Sequence, residues 1–195
     1  MSSHALTYGA APRLAPVARP RSLWLWLFNF IVRRQLGKPM TPAQVLYARM
    51  PKLLVPQASM LLLLQHGLSL PALLVHVLQA RVSMHNGCTF CMDLHQAMAL
   101  REGHGRDKLI AAVDPSHPAE WTEQERAALA FADESTQHGH VSDVTFAALR
   151  AVYSEKQIVE LTWLCAFTTY LNRLATPLDI GSDGFCAIAE ARAEH

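Results

Sequence analysis

Residues 81–95 read RVSMHNGCTFCMDLH, with two cysteines three positions apart and a histidine four positions after the second. The Asn-Gly pair at 86–87 is typical of a break, so one helix is expected to end before it and another to begin at about Cys88. On that second helix Cys88, Cys91 and His95 stand at i, i+3 and i+7 and share one face. The stretch therefore predicts two consecutive helices, with two thiols and an imidazole side by side on the second.

This arrangement favours thiol redox chemistry. A cysteine in the first turn of a helix lies in the positive field of the helix amides, and a nearby histidine can take its proton, so both favour the thiolate. The thiolate can attack an oxidant and become a sulfenic acid, which the second cysteine converts to a disulfide. Two other interpretations remain open: a zinc half-site with His95 as a third ligand, and two structural cysteines in the core.

Length and composition bound the class of protein. The chain has 195 residues, of which 51% are hydrophobic, enough for one domain with its own core. Lys and Arg total 17 against 16 Asp and Glu, so the charge does not favour nucleic-acid binding. Four cysteines without the dense spacing of a secreted scaffold indicate a reducing compartment, and a cytoplasmic location is expected.

The pattern of hydrophobic residues from residue 21 onward is helical, and no run alternates as a half-buried strand would. The protein is therefore expected to be all-α. Polar residues that suit helix starts are Ser69, Thr122 and Ser154. The predicted helices cover residues 21–36, 42–65 with interruptions at Pro51 and Pro56, 70–85, 88–102, 106–113, 122–137, 142–152 and 155–175.

The chain is divided into an N-terminal arm with an apolar helix, residues 1–40, and a main domain, residues 41–195. Residues 1–20 are rich in Ala, Pro and small polar residues and are expected to lack a fold of their own. The apolar run LWLWLFNFIV, residues 23–32, is too short to span a membrane, which takes about 20 residues, and the arginines after it disfavour a signal peptide. It is expected to pack on a neighbouring subunit, with a membrane surface as the less favoured alternative.

The segment LLVPQASMLLLLQHG, residues 53–67, is apolar nearly all round. A helix of this kind belongs in a core or a subunit interface. The segment therefore predicts that the protein is a homo-oligomer.

The run RVSMHNGCTFCMDLH resembles the core motif of the carboxymuconolactone decarboxylase and alkyl hydroperoxidase D superfamily, in which a helix leads through Asn-Gly-Cys into CxxCxxxH. The resemblance spans residues 45–186 and continues in ERAALAFADE (125–134), IVELTWLCAFTTYLNRL (158–174) and LDIGSDGFC (178–186). It implies an all-helical fold, assembly as trimers or hexamers, and a thiol peroxidase activity in members that keep both cysteines.

In that scheme Cys91 attacks the peroxide, Cys88 resolves the intermediate, and His95 belongs to the proton relay. The family pattern has a glutamate where this chain has His76, and a histidine where it has Phe90. His76 is therefore a further candidate for proton transfer, with a hydrogen-bonded packing histidine as the alternative. Phe90 cannot carry a proton and is expected to shape or dry the pocket.

The predicted function is a thiol-dependent peroxidase that reduces organic hydroperoxides or hydrogen peroxide, with a thiol reductant as partner and no metal or organic cofactor. The alternatives are a histidine-based conversion of a lactone or small carboxylate, and a non-catalytic, redox-sensing oligomer. Two other residues are interpreted as structural: His85 as a surface histidine at a helix end, and Cys165 as a core residue. Cys186 is too isolated in the sequence to assign.

Overall fold

The computed structural model describes residues 11–18 and 22–193, which form helices joined by turns and irregular segments. The all-α prediction is confirmed. The α-helices are α1 (Leu23–Leu36), α2 (Leu54–His66), α3 (Ala72–His85), α4 (Thr89–Arg101), α5 (Asp107–Val113), α6 (Glu123–His138), α7 (Asp143–Val152), α8 (Glu155–Ala175) and α9 (Phe185–Ala193). A π-helical turn (Ala43–Tyr47) and 3₁₀ turns (Pro51–Leu53 and Thr176–Leu178) lie between them.

Two predicted features of the helix boundaries are wrong. Pro56 does not interrupt a helix, because α2 begins at Leu54 and a proline in the first turn gives up no intrahelical hydrogen bond. Ser69 does not cap α3, which begins at Ala72 with Pro71 before it. The Ser69 amide and hydroxyl instead donate hydrogen bonds to the Glu160 carboxylate on α8. The capping boxes at Thr122 and Ser154 are confirmed.

Helix α3 is the central element of the fold. It packs against α4, α5, α6 and α8. Its residues Leu74, Leu78 and Val82 join a buried cluster with side chains of α6, α7 and α8. This packing fixes α3, so the side chains on its remaining face have a rigid support.

Helix α9, which no sequence pattern predicted, packs against α4. The Asp93 carboxylate on α4 accepts hydrogen bonds from the backbone amides of Phe185 (2.9 Å) and Cys186 (2.8 Å). It thereby satisfies two amides at the start of α9 that would otherwise lack partners. The Phe185 ring meets the edge of Phe90, with 6.3 Å between ring centroids, and closes the hydrophobic cluster around the cysteines.

Helices α1 and α2 leave much apolar surface exposed. On α1, Leu25 and Val32 are buried, whereas Trp24 is 76% exposed. On α2 only Gln57 is buried, and Val55 is 74% exposed, so α2 is not a core helix of the single chain. The predicted subunit interface remains a prediction. No helix in the described ranges is long and apolar enough to cross a membrane.

The predicted division at residue 40 also remains a prediction. Residues 1–10 and 19–21 of the predicted arm lie outside the described residues. Residues 11–18 lie on the main domain, where the amide of Arg13 donates to the carbonyl of Leu178.

Candidate active site

The turn between α3 and α4 positions the cysteines. Gly87 has a φ of 68°, and the Cys88 amide donates a 2.9 Å hydrogen bond back to the Ser83 carbonyl. The Asn86 side-chain amide donates to Asn172 on α8 at 3.0 Å. The Asn-Gly pair therefore does more than break the helix, since it fixes the turn against α8 and places Cys88 as the N-cap of α4.

Cys88 and Cys91 form a disulfide, with 5.3 Å between their Cα atoms. The Cys88 sulfur also accepts a hydrogen bond from the Cys91 amide at 3.3 Å. The proximity expected from the spacing is therefore observed. When the pair is reduced, the positive field at the N-terminus of α4, where both cysteines lie, stabilises a thiolate.

An apolar cavity of about 400 Å³ lies next to the disulfide. It lies between α2, α3, α4, α8 and the π-helical turn, and most of its lining is aliphatic, including Leu61, Leu64, Val75, Leu94, Leu171 and Leu174. Cys91 lines this cavity and Cys88 does not. Phe90 lines it too, and its predicted role in shaping or drying the pocket remains a prediction.

His95 lines the same cavity and is 6% exposed. Burial, and to a smaller extent the neighbouring His76, lowers the pKa of His95 to about 3. The imidazole is therefore neutral at physiological pH. It can donate or accept a hydrogen bond and can relay a proton, but it does not stay in the charged, doubly protonated form.

His76, also on the cavity wall, is paired with a carboxylate. Its Nε2 lies 3.1 Å from Oε2 of Glu102, the residue that follows α4. Burial lowers the pKa of His76 below its usual value, against the opposing effect of Glu102. The structure thus brings all four predicted residues, Cys88, Cys91, His95 and His76, to one site.

Two buried polar atoms on α3 have no hydrogen-bond partner in the described part of the chain: Nδ1 of His76 and Nε2 of Gln79. Both residues line the cavity, and Gln79 is 1% exposed. Buried donors and acceptors are ordinarily paired, and an unpaired one carries a free-energy cost of about 1–3 kcal/mol. Two such atoms on one wall indicate a place for a polar group of a ligand.

Sequence reasoning missed Glu102, Gln79 and the cap supplied by Asp93. Glu102 could have been identified from the turn at Gly87. His76 and Met98 are equally far from this turn in the sequence, so they are expected to lie side by side on the two helices that it joins. Glu102 lies one helical turn beyond Met98 and is therefore close to His76. Gln79 had a weaker indication, as a polar residue within an apolar helical run.

The other cysteines are poor candidates for thiolate chemistry. Burial raises the pKa of Cys165 to about 12, which confirms it as a core residue. Burial, together with the nearby Glu190, raises the pKa of Cys186 to about 11. Among the described residues no three His, Cys, Asp or Glu side chains are arranged to hold a metal ion.

The prediction of His85 as a surface histidine is wrong. His85 is partly buried at the end of α3, and its Nε2 lies 2.7 Å from Asp133 Oδ1 on α6. Arg81 donates to the same carboxylate, so His85 belongs to a structural ion-pair cluster.

The part of the chain that holds this site is similar to known proteins. The model of the carboxymuconolactone decarboxylase family matches residues 60–134, which include both cysteines, His76, His95 and Glu102. A protein of unknown function from Agrobacterium tumefaciens, for which the name antioxidant defence protein AhpD has been proposed, shares the fold. Its TM-score is 0.65 at 26% identity, over 71% of this chain and 96% of that protein. Residues 60–134 therefore match the carboxymuconolactone decarboxylase family, and the chain shares the fold of this AhpD-like protein.

Two further proteins are similar to this chain. The uncharacterized protein YnjA of Escherichia coli is 28% identical over 117 residues, which is 60% of this chain and 64% of YnjA. The match therefore spans somewhat less than two thirds of that relative. The debrominase Bmp8 has the same fold, with a TM-score of 0.76 at 23% identity over 89% of this chain and 94% of Bmp8. A cysteine-to-alanine form of Bmp8 is known in complex with 2,3,4-tribromopyrrole.

Proposed function

We propose that this protein is a thiol-dependent peroxidase that reduces organic hydroperoxides or hydrogen peroxide through its Cys88–Cys91 pair. The observation that carries the proposal is the placement of this pair beside an apolar cavity that Cys91 lines and Cys88 does not. A substrate in the cavity therefore meets Cys91 first, which supports Cys91 as the nucleophile and Cys88 as the resolving cysteine.

The reaction consumes two thiols for each peroxide. The Cys91 thiolate attacks one oxygen of the O–O bond, the other oxygen leaves as an alcohol or water, and Cys91 becomes a sulfenic acid. Cys88 then attacks that sulfur and releases water, which gives the disulfide present in the structure. A thiol reductant of unspecified identity reopens the disulfide. In this proposal His95 acts as a neutral hydrogen-bonding group that passes a proton rather than storing it.

The apolar lining favours organic hydroperoxides over hydrogen peroxide, because burial of an apolar group adds binding free energy. The buried Nε2 of Gln79 is a hydrogen-bond donor that can meet an oxygen of the substrate. The trimeric or hexameric assembly implied by the resemblance belongs to the same proposal, with the exposed apolar faces of α1 and α2 as the surfaces available for it.

A second candidate is reductive removal of bromide from an apolar aromatic ring. The favouring observation is the apolar cavity beside a cysteine pair, in a chain whose fold is that of the debrominase Bmp8. Two thiols supply the two electrons that replace a carbon–bromine bond by a carbon–hydrogen bond, so the protein side of the reaction is the same disulfide.

The test is turnover with dithiothreitol as reductant. Reduced protein is mixed with cumene hydroperoxide, hydrogen peroxide or 2,3,4-tribromopyrrole, and peroxide loss or bromide release is followed. The peroxidase proposal expects rapid loss of cumene hydroperoxide that Cys91→Ser abolishes, and bromide release without peroxide loss favours the second candidate. Activity that survives thiol alkylation would instead favour histidine-based lactone chemistry. No turnover, with an oligomer that changes size on oxidation, would favour a redox sensor.

A further inference from the structure

The two ring nitrogens of His76 have different surroundings. Nε2 lies 3.1 Å from Glu102 Oε2, whereas Nδ1 is buried without a partner in the described part of the chain. A carboxylate accepts hydrogen bonds, so Nε2 carries the hydrogen and Nδ1 keeps its lone pair. Because His76 lines the cavity with Cys91, this lone pair is a proton acceptor within the site.

Glu102 connects this buried imidazole to solvent. The His76 side chain is 8% exposed, and that of Glu102 is 45% exposed. His104 Nε2 lies 3.6 Å from the same Glu102 oxygen and is 28% exposed. A proton can therefore pass between solvent and the cavity wall through groups already in contact.

The titratable groups that contact His76 or line the cavity with it come from several elements. Glu102 and His104 follow α4, His95 and Cys91 lie on α4, His66 lies at the end of α2, and Tyr47 lies in the π-helical turn. Glu102 is the acidic side chain in this set, so it is the group that stabilises a protonated His76. A histidine oriented by a carboxylate on one nitrogen and open on the other is suited to general acid–base chemistry.

We propose that His76 is the general acid–base residue for Cys91, and that Glu102 is the positioning residue that fixes its tautomer and stabilises its protonated form. The assignment rests on the proposed peroxidase function. His76 Nδ1 takes the proton of the Cys91 thiol, directly or through His95, and the resulting thiolate attacks the peroxide. As the O–O bond breaks, the proton returns from His76 to the leaving oxygen. Two electrons move from sulfur to oxygen, and one alcohol and one sulfenic acid are formed.

The first test does not require peroxidase activity. Nitrogen-15 NMR of the reduced protein, with His76→Gln used to assign the signal, reports which ring nitrogen of His76 carries the hydrogen and at what pH the ring titrates. We expect the Nε2–H form in the wild-type protein. In Glu102→Gln we expect a mixture of tautomers and titration at a lower pH, because Glu102 raises the pKa of His76. A wild-type ring with hydrogen on Nδ1 would overturn the assignment.

The second test measures the rate of Cys91 oxidation by cumene hydroperoxide under single-turnover conditions between pH 5 and pH 9. Glu102→Gln is expected to slow the reaction about tenfold or more and to shift its acidic limb to lower pH, with partial recovery in Glu102→Asp. The matched control is Glu120→Gln, an exposed glutamate outside the cavity. An unchanged rate and pH profile in folded Glu102→Gln would overturn the proposal. If the wild-type protein does not react at all, the peroxidase function fails, and the NMR titration still decides the pairing.

Discussion

Two histidines of helix α3, His76 and His85, are each paired with a carboxylate from another part of the chain. The two pairs differ in what else the carboxylate binds. At the end of the helix, the Asp133 carboxylate binds His85 at 2.7 Å and takes two hydrogen bonds from Arg81 at 2.7 and 2.8 Å. Burial alone would raise the pKa of Asp133, but the bonds from Arg81 and His85 lower it. This pair is saturated, and its role is to join α3 to α6.

The other pair is open. Among the described residues no Lys or Arg lies within ion-pair distance of Glu102, and His76 keeps an unpartnered Nδ1 on the cavity wall. The same residue types therefore have different roles in the two pairs. Where an arginine also binds the carboxylate, as at Asp133, the pair stabilises the fold. Where no arginine binds it, as at Glu102, the histidine is available for proton transfer. Residue type alone therefore does not separate structural from functional histidines.

The largest expected effect comes from removing the Cys91 thiol, whose proton the His76–Glu102 pair is proposed to transfer. Cys91→Ser should lower the rate of peroxide-dependent thiol oxidation by about a thousandfold or more, because a hydroxyl is far less nucleophilic than a thiolate. The rate is measured by peroxide consumption with dithiothreitol present. Cys186→Ser is the control and should keep the wild-type rate, since its thiol has a pKa raised to about 11.

Neutralising one carboxylate of each pair should separate stability from activity. Asp133→Asn should lower the free energy of unfolding by about 2 kcal/mol, because Arg81 and His85 lose a largely buried partner. Glu102→Gln should change it by less than about 0.5 kcal/mol, because the side chain is 45% exposed. Urea denaturation measures both. Equal destabilisation by the two variants would contradict the distinction.

The pH dependence of stability should also differ between the two sites. Burial lowers the pKa of His95 to about 3 and lowers that of His76. Below about pH 6.5 the unfolded chain therefore binds protons that the folded protein does not, so the free energy of unfolding falls by up to about 1.4 kcal/mol per pH unit for each histidine. Asp133, with its lowered pKa, contributes only near and below its ordinary range of about 3.9.

Urea denaturation at pH 5.0 and pH 6.5 isolates the histidine contribution. We expect the wild-type protein to be less stable at pH 5.0, and His95→Gln to show a smaller difference between the two pH values. A wild-type stability that does not fall over this range would show that the cavity histidines are not held neutral.

The smallest expected effect concerns the unpaired amide beside the open pair. Gln79→Leu removes a buried donor without a partner, so it should raise the free energy of unfolding by about 1 kcal/mol and lower kcat/KM for cumene hydroperoxide. The control is Gln96→Leu on α4, where the lost Nε2 is bonded to the Leu109 carbonyl at 3.3 Å, and where we expect no stabilisation. A destabilised Gln79→Leu protein would mean that the amide has a partner within the fold.

Local sequence patterns predict most of the helices and the central residues of the site. The spacing of Cys88, Cys91 and His95 on one helix face, the Asn-Gly break and two capping boxes all follow from contacts within a few residues. These predictions were met because helices are set by local periodicity.

The remaining features depend on contacts between distant residues. Helix α9 escaped prediction because Asp93, on another helix, supplies its cap. Glu102 escaped because its partner is 26 residues away, and His85 was misjudged because Asp133 is 48 residues away. At position 76 the family pattern has a glutamate, whereas this chain has a histidine. The carboxylate beside it comes from Glu102 at the end of α4.

The most direct measurement is a count of free thiols in the fully reduced protein before and after one equivalent of cumene hydroperoxide, followed by peptide mass analysis. The chain has four cysteines, and the account predicts rapid loss of two thiols with a new link between Cys88 and Cys91. Four thiols that stay reduced, or a link that involves Cys165 or Cys186, would contradict a peroxidase based on this pair.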